Sequence, residues 1–214
     1  MTDLSEYLSL AGAGASELVI KRSRFIGAAA PAGSPEEAEG FIATVRAKHP
    51  EASHNVFAYS IGLGNPQEKL SDDGEPRGTA GYPILDTIHR RSLRNIVCVV
   101  TRYFGGTLLG AGGLLRAYGK AATDALDAAG VVRHVYHAAL TIETTYEQLG
   151  RTQRELEQLH CRILGIDYGE AVRFRVHVRA DQAQTVSLRI RDLSAGRAEV
   201  QIHEGEYLAQ AKES

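Results

Sequence analysis

Residues 101–120 read TRYFGGTLLGAGGLLRAYGK, with glycines at 105, 106, 110, 112, 113 and 119. On the N-terminal side lies NIVCVVTRY (95–103), apolar at odd and even positions alike, which marks a strand buried on both faces. On the C-terminal side, Leu114, Leu115, Tyr118, Ala121, Ala122, Ala125, Leu126 and Ala129 recur at helical spacing until Gly130 ends the run. A strand, a glycine-rich turn and a helix N-terminus are therefore the unit around which the fold is built. Such a turn aims unpaired N–H groups and the positive end of the helix dipole at whatever lies above it. Arg102 and Arg116 flank it, so an anion can be held there. The plainer reading is that Gly105, Gly106, Gly112 and Gly113 permit tight turns and close packing of helix on sheet.

Two familiar phosphate loops are excluded. In a Walker loop four residues separate the glycine from Gly-Lys, and a hydroxyl residue follows. Here five lie between Gly113 and Gly119, and Ala121 follows Lys120. A dinucleotide fingerprint begun at Gly110 and Gly112 needs a third glycine where Leu115 stands.

Working outward, SELVIKR and RFIGAAAP read as two short strands after a loose lead-in. SPEEAEGFIATVRAKHP reads as a helix, with Ser34 as N-cap, Pro35 in the first turn and a stripe of Ala38, Phe41, Ile42 and Val45. HNVFAYSIGL follows as a strand with Phe57, Tyr59 and Ile61 on one face and Val56 and Ala58 on the other. Residues 64–81, GNPQEKLSDDGEPRGTAG, read as one long exposed loop, and a short helix near PILDTIHRRSL leads to the central strand. Beyond Gly130 the strand HAALTIETTY and a helix marked by Leu149, Thr152, Leu156 and Leu159 come first. A hairpin around Gly169, a helix marked by Ala183, Val186, Ile190 and Leu193, and a final strand complete the order βαββαβ, the ferredoxin-like arrangement. The expected division is a flexible lead-in at 1–15, a first domain at 16–133 and a second at 134–214.

Bulk properties narrow the function. Hydrophobic content of 43%, charged content of 23% and a net charge of −2 over 214 residues describe a globular protein, not a globally basic nucleic-acid binder. Cys98 and Cys161 sit in apolar runs, as buried thiols of a reducing compartment do. MTDLSEYLSLAGAGASE does not read as a secretory signal, and no run has the length of a membrane span, so a cytoplasmic location is expected.

In the acidic loop, Asp72, Asp73 and Glu75 are of the type that binds hard cations. Their spacing does not fit an EF-hand, and Arg77 lies two residues from Glu75, so no metal is assigned. Ser71, His54 and Asp72 make a triad only on paper, without a nucleophile elbow. Basic residues cluster at Lys21, Arg22 and Arg24 and at Arg90, Arg91 and Arg94. With Arg102, Arg116 and Lys120 they can line one phosphate-binding face or form a solvated surface. Arg173, Arg175, His177 and Arg179 alternate with Val172, Phe174, Val176 and Val178, so the second domain lacks the outward aromatics of an RNA-recognition sheet.

SDDGEPRGTAGYP followed by NIVCVVTRYFGGTLLGAGGLLRAYGKA resembles the signature of the IMPACT/YigZ family, with IKRSRFIG and EASHNVFAYSIG in support. Residues 136–207 resemble the ferredoxin-like C-terminal domain of its bacterial branch. The resemblance implies an α+β, two-domain fold. The first domain would share a βαβ fold with domain IV of elongation factor G and the GHMP kinases, and the second would be similar to domain V of that factor. The serine-rich phosphate stretch of those kinases is replaced by Leu114, Leu115 and Arg116, which speaks against ATP chemistry. The resemblance implies that eukaryotic members regulate translation by competing for an activator of a stress-responsive kinase; they carry an extra N-terminal interaction domain that the short lead-in is not expected to supply, so kinase regulation is not expected of this chain. The reading is a non-catalytic, cofactor-free, translation-related protein that binds RNA, the ribosome or translation factors, not a membrane. Its expected ligand site is a cleft lined by Arg77, Gly78, Thr79, Arg102, Gly105, Gly106, Gly110, Gly112, Gly113, Arg116 and Lys120, with Asp72, Asp73 and Glu75 as orienting acids. Two alternatives stay open: an enzyme for a small phosphorylated or carboxylated metabolite in the same cleft, or a protein-binding adaptor.

Overall fold

A computed structural model describes residues 5–210. The chain divides into two compact units, the first ending at Arg133 and the second spanning His134–Gln210. The first contains β1 (Glu6–Leu10), β2 (Gly14–Ile20), β3 (Ser23–Pro31), α1 (Pro35–Lys48), β4 (His54–Ile61), β5 (Gln67–Ser71), α2 (Gly81–Arg90), β6 (Ile96–Tyr103) and α3 (Ala111–Ala129). Its main sheet has the order β2-β3-β6-β4-β5, and every neighbouring pair is antiparallel.

The central place of β6 follows from its two apolar faces. Val97 and Val99 pack with Ala38, Ile42 and Val45 of α1, while Ile96, Cys98 and Val100 join the core under α2 and α3. Residues of β4 sort the same way, Phe57 and Tyr59 with α1, Val56 and Ala58 with the other two helices. α1 starts where Ser34 accepts the Glu37 N–H at 3.2 Å, with Pro35 in its first turn and the Glu37 carboxylate reaching back to the Gly33 N–H at 2.7 Å. On the opposite face, α3 lies close on β3 because the helix offers alanines and the strand a glycine. A Cβ on Gly27 would stand 2.5 Å from the Ala121 carbonyl oxygen and 2.9 Å from the Ala125 methyl.

Three elements differ from the sequence reading. The lead-in holds strand β1 within residues 5–15, because Leu10 is buried and Leu8 packs against the same core; residues 1–4 lie outside the described part. The stretch expected to be loop throughout pairs over Gln67–Ser71 as the edge strand β5. Its charges suit an exposed edge, with Lys69 on Glu39 and Glu68 on His89, both at 2.7 Å. Leu115, placed in the core stripe of α3, is 41% exposed, and Ala117 takes the buried position. A helix buries a narrower arc than its apolar letters suggest when it lies on a flat sheet.

The second unit continues through β7 (Val131–Thr144), α4 (Leu149–Gln158), β8 (Arg162–Tyr168), β9 (Val172–Arg179), α5 (Ala183–Leu193) and β10 (Glu199–Gln210). β7 pairs with β9, β9 with β8, and β10 with β7, the neighbour order of a ferredoxin-like sheet. Leu140, Ile142, Phe174 and Val176 face Leu156, Val186 and Ile190 from the helices. The other face is charge-balanced: Arg173 pairs with Glu143 at 2.9 Å and Arg175 with Asp167 at 3.2 Å. Among the described residues no helix is long and apolar enough to cross a membrane.

Gly27→Ala tests the contact between α3 and β3. The added methyl must push the helix from the sheet, so unfolding in urea should show a loss of about 1–3 kcal/mol, against a gain of about 0.5–1 kcal/mol for Gly40→Ala inside α1, where a Cβ meets nothing within 4 Å.

Candidate functional site

Because the sheet is antiparallel, four connections open at one end of it: the β2–β3 turn, the segment from α1 to β4, residues 72–80 between β5 and α2, and residues 104–110 between β6 and α3. Both stretches singled out in the sequence are therefore brought to the same end. They meet through Arg102. Its register on β6 faces it toward α3, where it is 4% exposed. One guanidinium nitrogen donates to Glu75 at 2.5 Å, another to the Ser23 hydroxyl at 3.2 Å, and the group lies 5.4 Å from the ring centres of both Phe25 and Phe104. The Tyr118 hydroxyl of α3 donates to the same Glu75 oxygen at 2.8 Å, and His54 Nε2 stands 3.9 Å from it. Burial and then the Glu75 carboxylate hold the Tyr118 hydroxyl well above the ordinary phenol range.

Arg102 is thus a buried tie between loops, and only its Nε lacks a partner. Glu75 holds that arginine. Asp73 accepts the Asn55 N–H at 2.6 Å, faces Arg46 at 3.4 Å, and its carbonyl meets His54 Nδ1 at 2.7 Å. Asp72 accepts the N–H groups of Gly78 at 2.8 Å, Ala80 at 3.1 Å and Gly81 at 2.8 Å, which shapes the loop and caps α2. Partial burial pushes the Asp72 carboxyl up, but those three donors and nearby Arg77 outweigh it and hold it below the usual range. Thr79 is buried on the Pro76 carbonyl. Ser71 accepts the Asp73 N–H, so Ser71, His54 and Asp72 each serve the loop backbone and form no relay.

The outward-facing residues are different ones. α3 begins at Gly110 with no side-chain cap and no acid in its first turn; the Gly113 N–H donates to the Gly110 carbonyl at 3.0 Å, which leaves those of Ala111 and Gly112 open among the described residues. Arg116 folds back over that turn, with a nitrogen 3.8 Å from where a Cβ on Gly112 would lie. Gly113 accommodates Leu109, while Gly78, Gly106 and Gly110 have positive φ and open surroundings. Gly105 presses on the β2–β3 turn: a Cβ there would lie 2.0 Å from the Arg22 carbonyl carbon. Lys120 is tied to Asp124 at 2.5 Å. Arg90 and Arg91 pair with Asp86 and Asp127 toward the C-terminal end of α2, away from Lys21 and Arg22, although Arg90 also reaches the groove that Arg116 and Lys120 line. Arg116 and Lys120 instead line a groove of about 530 Å³ between α2 and α3, with Tyr82, Pro83, Asp86, Arg90 and Leu115.

Sequence reasoning missed Tyr118, Ser23 and His54 as members of the buried network, and Phe104 and Tyr82 as exposed aromatics, 48% and 61% accessible. Their polar partners come from distant segments, so spacing carries no signal for the network. An aromatic directly before Gly105 and Gly106 was the available signal for Phe104. Among the described residues no cluster of three metal-ligating side chains occurs. Burial pushes the Cys98 thiol up to about 12 and that of Cys161 to about 11, so neither is a ready nucleophile.

Against known proteins, residues 21–126 match the Impact N-terminal domain, and residues 142–197 match a domain of unknown function, DUF1949. The chain is 38% identical over 208 residues to the IMPACT family member YvyE of Bacillus subtilis, covering 97% of this chain and 96% of that one. It is 38% identical over 179 residues to the IMPACT family member YigZ of Escherichia coli, covering 83% and 88%. A crystal structure described as that of a hypothetical protein superimposes with a TM-score of 0.62 at 35% identity, over 95% of this chain and 100% of that one.

Two substitutions probe the buried tie and the capped loop. Arg102→Ala strands the Glu75 carboxylate in the interior and should destabilise the chain by about 3–5 kcal/mol, with Arg102→Ala/Glu75→Ala costing less than the sum of the singles. Asp72→Asn replaces one accepting oxygen by a donor facing an N–H. Since the folded carboxyl lies below its unfolded value of about 3.9, its contribution is full above that pH and disappears as pH falls. The gap in urea midpoint between wild type and Asp72→Asn should be largest at neutral pH and close in acid.

Proposed function

The chain belongs to the IMPACT family, and from that premise we propose that it is a non-catalytic, translation-related protein that binds RNA through the loop end of its first unit. One observation carries this reading. Lys21, Arg22, Arg77 and Arg116 gather at the loop end, and none has an ion-pair partner among the described residues. The prominent arginines on the sheet face of the second unit are matched to acids. Unmatched cations beside open helix amides are the arrangement that phosphodiesters satisfy, each phosphate taking a charge-assisted bond without displacing an internal partner. Arg102, Glu75 and Asp72 act behind this surface, holding the loops that present it.

Exposed Phe104 and Leu108 belong to the β6–α3 loop at this end, and exposed Tyr82 lines the groove with Arg116. Apolar rings next to arginines suit bases as well as phosphates, which favours a nucleic acid over an inorganic anion. The groove between α2 and α3 supports a second reading, a small phosphorylated metabolite. Its volume lies in the range of metabolite sites and Arg116 stands at its rim.

Salt distinguishes the two. With four phosphate contacts to a single strand, log affinity should fall against log salt with a slope of about −3, and Arg77→Ala or Arg116→Ala should each reduce it by about 0.7. A shallow slope, together with competition by a nucleoside phosphate that Arg116→Ala abolishes, moves the assignment to the groove.

A further inference from the structure

Ile20 pairs with Ser23, so Lys21 and Arg22 form a two-residue hairpin turn. Their φ angles are 46° and 67°. Two successive left-handed residues define the turn that Asn-Gly fills with least strain, because a Cβ followed by a longer side chain crowds the backbone there. Elsewhere among the described residues, two successive left-handed positions occur only where the second is glycine, at Asp73–Gly74 and Ala195–Gly196. Ser92, His160 and Ala195 follow helices, where a left-handed residue is an ordinary stop, and Asp73 and Asn95 hold the N–H groups of Asn55 and Gly62. Lys21 and Arg22 have neither excuse. Both are exposed, and neither has a hydrogen-bond or ion-pair partner among the described residues.

The backbone of this turn is fixed while its side chains are free. Gly105 leaves no room for a Cβ against the Arg22–Ser23 peptide, and Ser23 Oγ accepts from both the Gly105 N–H and Arg102 at 3.2 Å. One residue before Gly105, Phe104 rests one side against the Arg102 guanidinium and is half exposed. A strained turn with two unpaired cations is thus clamped beside an aromatic platform. Strain of this kind persists where the surroundings over-determine it, and the relaxed pair, Asn-Gly, would carry no charge.

We propose that the Lys21–Arg22 turn is the phosphate-gripping element of the site and that its ligand is single-stranded RNA, with the two cations on neighbouring phosphates and a base stacked on Phe104. This rests on the RNA-binding reading above. A duplex keeps its bases stacked inside and offers nothing to Phe104, whereas an open strand engages both features.

The test titrates the full-length chain with a fluorescein-labelled 12-nucleotide oligouridylate and with an RNA duplex of equal length, over a range of salt. Lys21→Asn/Arg22→Gly should raise Tm by about 2–4 °C through relief of the turn. It should also weaken oligouridylate binding roughly 20-fold at 0.1 M salt and reduce the log–log slope by about 1.4. Lys21→Gln/Arg22→Gln should show the same loss of affinity without the gain in Tm. If the wild type binds the oligomer and both variants match its affinity and slope, the turn is not in the site, while the RNA-binding reading survives. If the wild type binds neither probe, both fall together. Equal or tighter binding of the duplex overturns the single-strand assignment, and an unchanged Tm for Lys21→Asn/Arg22→Gly removes the strain argument.

Discussion

The loop end of the first unit is organised by one buried ion pair. Arg102 and Glu75 are 27 residues apart in sequence, one at the end of the central strand and the other in the acidic loop, and they meet at 2.5 Å away from solvent. A pair this deep carries a desolvation penalty that Coulomb attraction offsets only when the remaining donors and acceptors are satisfied. Tyr118 and Ser23 do much of that, and in doing so they connect α3 and the β2–β3 turn to the same point. Four separate segments are held to one another by polar atoms, where an apolar core would leave their register free to slide.

Small residues make this geometry reachable. Gly27 lets α3 descend onto β3, which puts Tyr118 over the end of β6, and Gly105 lets the glycine loop fold down on the β2–β3 turn. Neither contact involves a ligand. The open amides at the start of α3 are a consequence: the chain reaches the helix through Gly110, without a side chain to cap it. Asp72 does the opposite for α2, whose first amides it occupies. Two helices begin at one end of the sheet, and only one has its N-terminus filled from within.

The division of labour among charged residues follows from burial. Arg102, with its acid, is a structural tie. Arg116 is exposed and has no ion pair among the described residues, and Arg77 stands near Asp72 without an ion-pair contact to it. The second unit shows the same residue types in the first role at its surface, with Arg173, Arg175 and Arg179 each on a neighbouring carboxylate. A basic letter in a sequence therefore says little until its acid is located.

Much of the architecture was legible because periodicity is a local signal. The doubly apolar run at 96–100 placed β6 in the centre, Ser34 and Pro35 marked the start of α1, and the pattern beyond Gly130 set out a βαββαβ unit. Where burial is shallow the signal failed: the edge strand β5 resembles a loop because its side chains are solvated, and Leu115 looks like core because apolar spacing does not tell how wide a face the sheet covers. At the candidate site the sequence determined which residues were unusual, the glycines, the acids and the arginines. Tertiary structure alone decided that Arg102 faces inward to Glu75 while Arg116 faces outward. A side chain's role depends on which way its strand or helix turns it and on partners from segments far along the chain, and neither is written in the spacing of its neighbours.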